Sequence, residues 1–105
     1  MAPVADSLRF ARWVADDIQD GLAWYDAKSV NLGNRFRAAV ESGFDSVERN
    51  PELCPFAFAD LNVRFYRLRR FPYLILYQVR PSSVLVVGVV HAASDPERLR
   101  RRIVE

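Results

Sequence analysis

The sequence is poor in the residues that mark secreted or metal-bound proteins. It has a single cysteine, Cys54, among 105 residues. A lone cysteine cannot close an internal disulfide, so nothing here argues for secretion. It also has a single histidine, His91, so the Cys/His spacing of a zinc site is missing. No glycine-rich phosphate loop is present. Neither a cofactor nor a metal is therefore expected. The opening "MAPVADSLRF" has neither the basic nor the apolar stretch of a signal peptide. The longest apolar run, "VLVVGVV" at 84–90, is far short of the ~20 residues a membrane span needs. Together these absences predict a soluble, cytoplasmic protein with no membrane contact. Cys54 is left with two readings, a small apolar loop residue or a reactive thiol.

Lysine is also scarce. Lys28 is the only one, and every other basic side chain is arginine. Arginine suits bidentate contacts with carboxylates and phosphates. Residues 1–60 carry six basic and ten acidic side chains, whereas residues 61–105 carry nine and three. The first part is net negative and the second net positive. The basic half could meet nucleic acid or an acidic protein, or simply balance the acidic helices of the first half. The length fits one domain over 1–105, and half the residues are hydrophobic, as in a globular chain with a real core.

The periodicity changes along the chain. Residues 7–10 are expected to form a short strand. From Arg12, Val14, Ile18, Leu22 and Tyr25 recur at helical steps, with Trp13 and Trp24 widening the stripe. Asp16 and Asp17 fit the start of that helix as charges complementing its dipole, rather than a catalytic pair. A second helix is expected after a short turn, with Asn31 as N-cap and Phe36, Val40, Phe44 and Val47 as its buried stripe. Gly43 within it suggests close packing. Asn50-Pro51 should end it. The short connection makes the two helices an antiparallel hairpin. Residues 54–62 read as a loop. Residues 63–70 alternate as a half-exposed strand. "YLILYQV" (73–79) and "VLVVGVVH" (84–91) are apolar on both faces and read as central strands joined by a turn at 80–83. Asp95 and Pro96 open a short helical tail with Leu99 and Ile103 inward.

The fold class is thus α+β, in the order β-α-α-β-β-β with a short helical end. The order and its residues resemble the RelE/ParE family of bacterial toxins from type II toxin–antitoxin modules. The resemblance rests on "RFARWVADDIQDGLAWYD", "NLGNRFRAAVESGFDSVERNPE", "VRFYRLRRFPYLILYQV" and "VLVVGVVHAASDP". Trp24-Tyr25, Leu32-Gly33, Asn50-Pro51, "RRFPY" followed by Tyr77, and "VVHAASDP" are its characteristic points. It implies a helical hairpin packed on a mostly antiparallel sheet, and a cognate antitoxin that wraps the toxin. ParE-like members poison DNA gyrase. RelE-like members cut mRNA in the ribosomal A site.

The nuclease branch implies cations and a tyrosine on the sheet face, because the reaction needs proton transfer and phosphate clamping. Its Tyr-Arg-x-x-Tyr falls on "YLILY", so Leu74 stands where that branch has arginine. Ser94 stands at a second arginine position, and Arg100 lies near the tyrosine position. Two lysine positions fall on Phe65 and Arg67. Arg67 and His91 are the remaining catalytic candidates. His91 could serve as a general base, or simply bond a neighbour at a strand end. The missing clamp favours the ParE-like side, a toxin that binds its target. Alternatives are a ribosome-dependent mRNA endonuclease and a non-toxic member kept as a binding module. Candidate contacts for a target or antitoxin are Arg64, Arg67, Arg69, Arg70, Arg98, Arg100 and Arg101.

Overall fold

The computed structural model describes residues 8–105. The reading of residues 1–7, including the first residue expected of the opening strand, lies outside the described residues. The order is β1 (Leu8–Phe10), α1 (Val14–Asp26), α2 (Val30–Arg49), β2 (Phe56–Phe58), β3 (Val63–Arg67), β4 (Tyr73–Arg80), β5 (Ser83–His91) and α3 (Pro96–Val104). The strands form one sheet in the order β1-β5-β4-β3-β2. Only the β1–β5 pair is parallel.

Strand β2 and the 3₁₀ turn at Ala59–Leu61 lie where a plain loop was expected. Three residues are too few to show a period of two, so the pattern is silent there. The turn ends at Asn62, whose φ of 57° is left-handed. Asparagine tolerates this region better than most residues, and its Nδ2 donates to the Val79 carbonyl at 2.9 Å.

The starts of α1 and α2 differ from the sequence expectation in a physical detail. Helix α1 begins at Val14, with Arg12 and Trp13 in a preceding turn. The N-cap of α2 is Ser29, whose hydroxyl accepts from the Leu32 amide at 3.0 Å, rather than Asn31. Ser29 is extended and Asn31 is already helical, and only the former geometry suits an N-cap. Trp24 does not join the buried stripe. It is 59% exposed, with the Lys28 ammonium over its ring. At the other end of the chain, Asp95 caps α3 by accepting from the Glu97 amide, with Pro96 in the first turn.

The sheet has two unlike faces. Residues directly opposite one another on paired strands share a face. Tyr66, Ile75, Tyr77, Val84, Val86 and Val89 meet the α1–α2 hairpin, where Phe36, Val40 and Val47 are buried. Tyr25, Phe36, Phe71 and Tyr73 form an aromatic cluster, with Tyr25 and Phe71 centroids 4.9 Å apart and Phe36 and Tyr73 5.0 Å apart. Each fully buried side chain of this size contributes roughly 1.5–3 kcal/mol. Gly43 lets α2 approach the sheet, since a Cβ there would lie 2.6 Å from Ile75 Cδ1.

On the opposite face, Val63, Leu76, Val87 and Val90 form a second cluster. Leu99 and Ile103 of α3 pack on it, as does Leu74. None of the residues of α3 is itself buried. The helix is held at its rims by two ion pairs, Arg100–Asp60 and Arg102–Asp17.

Candidate functional site

Strand β1 pairs with β5 only through Val84–Val86. Beyond that point α1 takes over the neighbouring edge. The Trp13 indole N–H donates to the Val87 carbonyl, and the Asp17 carboxylate accepts from the Val89 amide at 3.0 Å. Asp17 also accepts from Arg102 of α3, whose guanidinium lies over the Trp13 ring. A β-bulge leaves Val87 without a partner on β4, between the Leu76–Gly88 and Tyr77–Val86 pairs. This bulge brings the Val87 carbonyl and Val89 amide under Trp13 and Asp17. Asp17 therefore joins α1, β5 and α3 and does more than complement a helix dipole. Its partners lie 72 and 85 residues away, so no local pattern marks the role.

Past this junction a cleft of about 260 Å³ opens between α1, the end of β5 and α3. Asp20, Tyr73, His91, Ser94 and Arg98 line it. Burial pushes the Tyr73 phenol above its ordinary pKa, with Tyr25 and the Asp20 charge adding to the effect. His91 is exposed and stands edge-on to Tyr73. Its Nδ1 accepts from the Ala93 amide at 3.0 Å. In the neutral ring this leaves the proton on Nε2, so the free nitrogen is a donor. A general base needs the reverse arrangement.

Arg67 is on the other side of the sheet. It pairs with Leu74, whereas His91 pairs with Tyr73, the next residue along β4. Adjacent strand residues point to opposite faces, so the two catalytic candidates cannot meet on one substrate. Leu74 lies in the apolar cluster beneath Leu99 and Ile103. Ser94, between β5 and α3, lines the cleft, and Arg100 is bound to Asp60 over the Phe58 ring. This bond holds the Asp60 carboxyl below its ordinary pKa.

The remaining arginines divide by burial. Arg64 faces inward and is half-buried. Its guanidinium donates to the Glu52 and Cys54 carbonyls at 3.2 and 2.6 Å and stacks over Phe56. It fastens the segment after α2 rather than presenting a contact surface. Tyr77 fastens the same segment, its hydroxyl donating to the Pro51 carbonyl at 2.8 Å. Arg67, Arg69, Arg70, Arg98 and Arg101 are exposed. Arg69 and Arg70 border a groove of about 710 Å³ against α2, together with Arg35. Arg35 was not among the sequence candidates, because it sits in the acidic half of the chain, far in sequence from the other two.

The model of the ParE toxin of the type II toxin–antitoxin system parDE matches residues 8–96. The chain belongs to the ParE toxin family. Among solved structures, the chromosomal ParDE toxin–antitoxin system from P. aeruginosa is similar at 21% identity and a TM-score of 0.56. The match covers 81% of this chain and 94% of that one. At this identity the likeness supports the fold. No curated protein matches significantly. As a ParE-family member, the chain is the toxin component of a type II module. The ParE match ends at Pro96, the first residue of α3, and so leaves out nearly all of that helix.

No helix among the described residues is long and apolar enough to cross a membrane.

Proposed function

We propose that this ParE-family toxin acts by binding and inhibiting an essential target, DNA gyrase, in the cytoplasm, and that a cognate antitoxin neutralises it. Residues 1–105 act as one toxin domain in this reading. The observation that carries it is the setting of Leu74. The resemblance to the related nucleases places this side chain at their phosphate-clamping position, and it packs among Leu76, Leu99 and Ile103. A stable phosphate clamp needs a preorganised cation at the reacting group, and an apolar cluster under a helix offers none. The separation of His91 from Arg67 across the sheet supports the same reading.

Purified toxin in excess over gyrase is expected to block DNA supercoiling. Unchanged supercoiling at that excess overturns the proposal. Cleavage of A-site mRNA in a translation extract, abolished by His91→Ala and Arg67→Ala, would establish the endonuclease reading instead.

A further inference from the structure

The cleft between α1, the end of β5 and α3 carries charges that the protein itself does not pair. Asp20 lines it from α1 and Arg98 from α3, with Asp95 at the start of α3. The ion pairs among the described residues are Arg100–Asp60 and Arg102–Asp17, so these three groups have none. Asp17 and Arg102 also line the cleft, but they neutralise each other. An acid and a base on different walls, both unpaired, match a ligand that carries both signs.

The groups between them have matching hydrogen-bonding capacity. Asp95 accepts from the Glu97 amide through one oxygen, which leaves the other open. His91 has its Nδ1 on the Ala93 amide, so its neutral ring presents an Nε2–H donor. The Tyr73 and Ser94 hydroxyls line the same space. Burial above all, helped by Tyr25 and Asp20, raises the Tyr73 pKa, so this phenol stays a neutral donor. Val89, Val90 and Leu99 give the lining its aliphatic part.

Size and charge narrow the class of ligand. The volume of about 260 Å³ lies just under the range of about 300–1,000 Å³ usual for ligand pockets, and so suits a molecule of amino-acid size. An anion alone would face Asp20 and Asp95, and a polyamine would face Arg98. A nucleobase needs an exposed aromatic face. The Tyr73 ring is packed edge-on with Tyr25, Phe36 and His91.

We propose that this cleft binds a small aliphatic zwitterion of the α-amino-acid class, with its ammonium on Asp20 and Asp95, its carboxylate on Arg98 and His91, and its side chain against Leu99. Such a ligand would join α1 to α3, as the Asp17–Arg102 pair does. The site stands whether or not gyrase is the target, and its test is separate from supercoiling. The probe is L-leucine, titrated into the isotope-labelled full chain and followed by amide NMR shifts. Two comparators keep its aliphatic part: 4-methylpentanoate lacks the ammonium, and 3-methylbutylamine lacks the carboxylate. L-Leucine is expected to give saturable shifts centred on Gly21, His91 and Arg98. Each comparator is expected to bind at least about tenfold more weakly, because one charge-assisted pair is lost. Asp20→Asn and Arg98→Gln are each expected to weaken L-leucine about tenfold for the same reason. Arg101→Gln, on the same helix but outside the cleft, is expected to leave it unchanged. All three side chains are exposed, and circular dichroism checks that the variants fold. The proposal is overturned by the absence of saturable shifts, by a comparator that binds as tightly as L-leucine, by indifference to Asp20→Asn or Arg98→Gln, or by an equal loss in Arg101→Gln.

Discussion

Arg64 and Arg67 are three residues apart on one strand and have opposite settings. Arg64 holds the Glu52 and Cys54 carbonyls from a half-buried position. Arg67 is exposed, on the other face. Arg64→Ala is expected to lower unfolding stability by about 2 kcal/mol, because two carbonyls lose their donor. Arg67→Ala should change it by less than ~0.5 kcal/mol, as for an ordinary surface site. Urea unfolding of both variants checks the contrast, and equal losses would contradict it. Asp17 invites the same measurement. Its carboxylate serves the Val89 amide and Arg102, so Asp17→Ala is expected to cost roughly 2–3 kcal/mol by leaving both donors unmet. Asp17→Asn keeps an acceptor for the amide and should lose only about half as much, since the Arg102 pair is partly solvated. Both roles escape a sequence reading, because charge type is visible locally and the bonding partner is not.

At the scale of elements, α3 contrasts with the hairpin. Helices α1 and α2 bury whole stripes against the sheet, whereas α3 rests on Leu99 and Ile103 and two ion pairs. Segments with few buried contacts open with small local free energies. Amide hydrogen exchange is therefore expected to be much faster in α3 than in β4 and β5, and Leu99→Ala should speed α3 alone. Protection of α3 equal to that of β5 would show that it unfolds only with the whole domain. The long elements were legible in the sequence. Helix α2 and the apolar strands β4 and β5 follow from period and composition, and Asn50-Pro51 ends α2 and Asp95-Pro96 opens α3 as expected. Strand β2 was not legible, being three residues long and stabilised by its pairing with β3. The N-cap of α2 was misplaced because serine and asparagine both qualify chemically, and backbone geometry chooses between them.

For the molecule as a whole, buried phenols set the alkaline limit of stability. Burial raises the pKa of Tyr25 and Tyr73, and most strongly that of Tyr77. A raised folded-state pKa means that the folded state favours the neutral phenol. Its contribution is complete below the unfolded value near 10 and is lost as pH rises above it. The melting temperature is accordingly expected to fall from about pH 10 upward. Tyr77→Phe should cost about 1 kcal/mol at neutral pH, through the lost bond to Pro51, and make the alkaline fall shallower. An unchanged alkaline slope in that variant would assign the effect to other groups.

The sequence by itself determined the α+β class, the helical hairpin, the two central strands and the kinship with RelE/ParE toxins. Each is written in local period, in turn residues or in ordered motifs. Only the tertiary structure decided which arginines are available. Strand register put His91 and Arg67 on opposite faces, turned Arg64 inward, and gathered Arg35 with Arg69 and Arg70 around one groove. The physical reason is that a strand reverses its side chains at every residue, and contacts between distant elements depend on pairing that no short window of sequence contains.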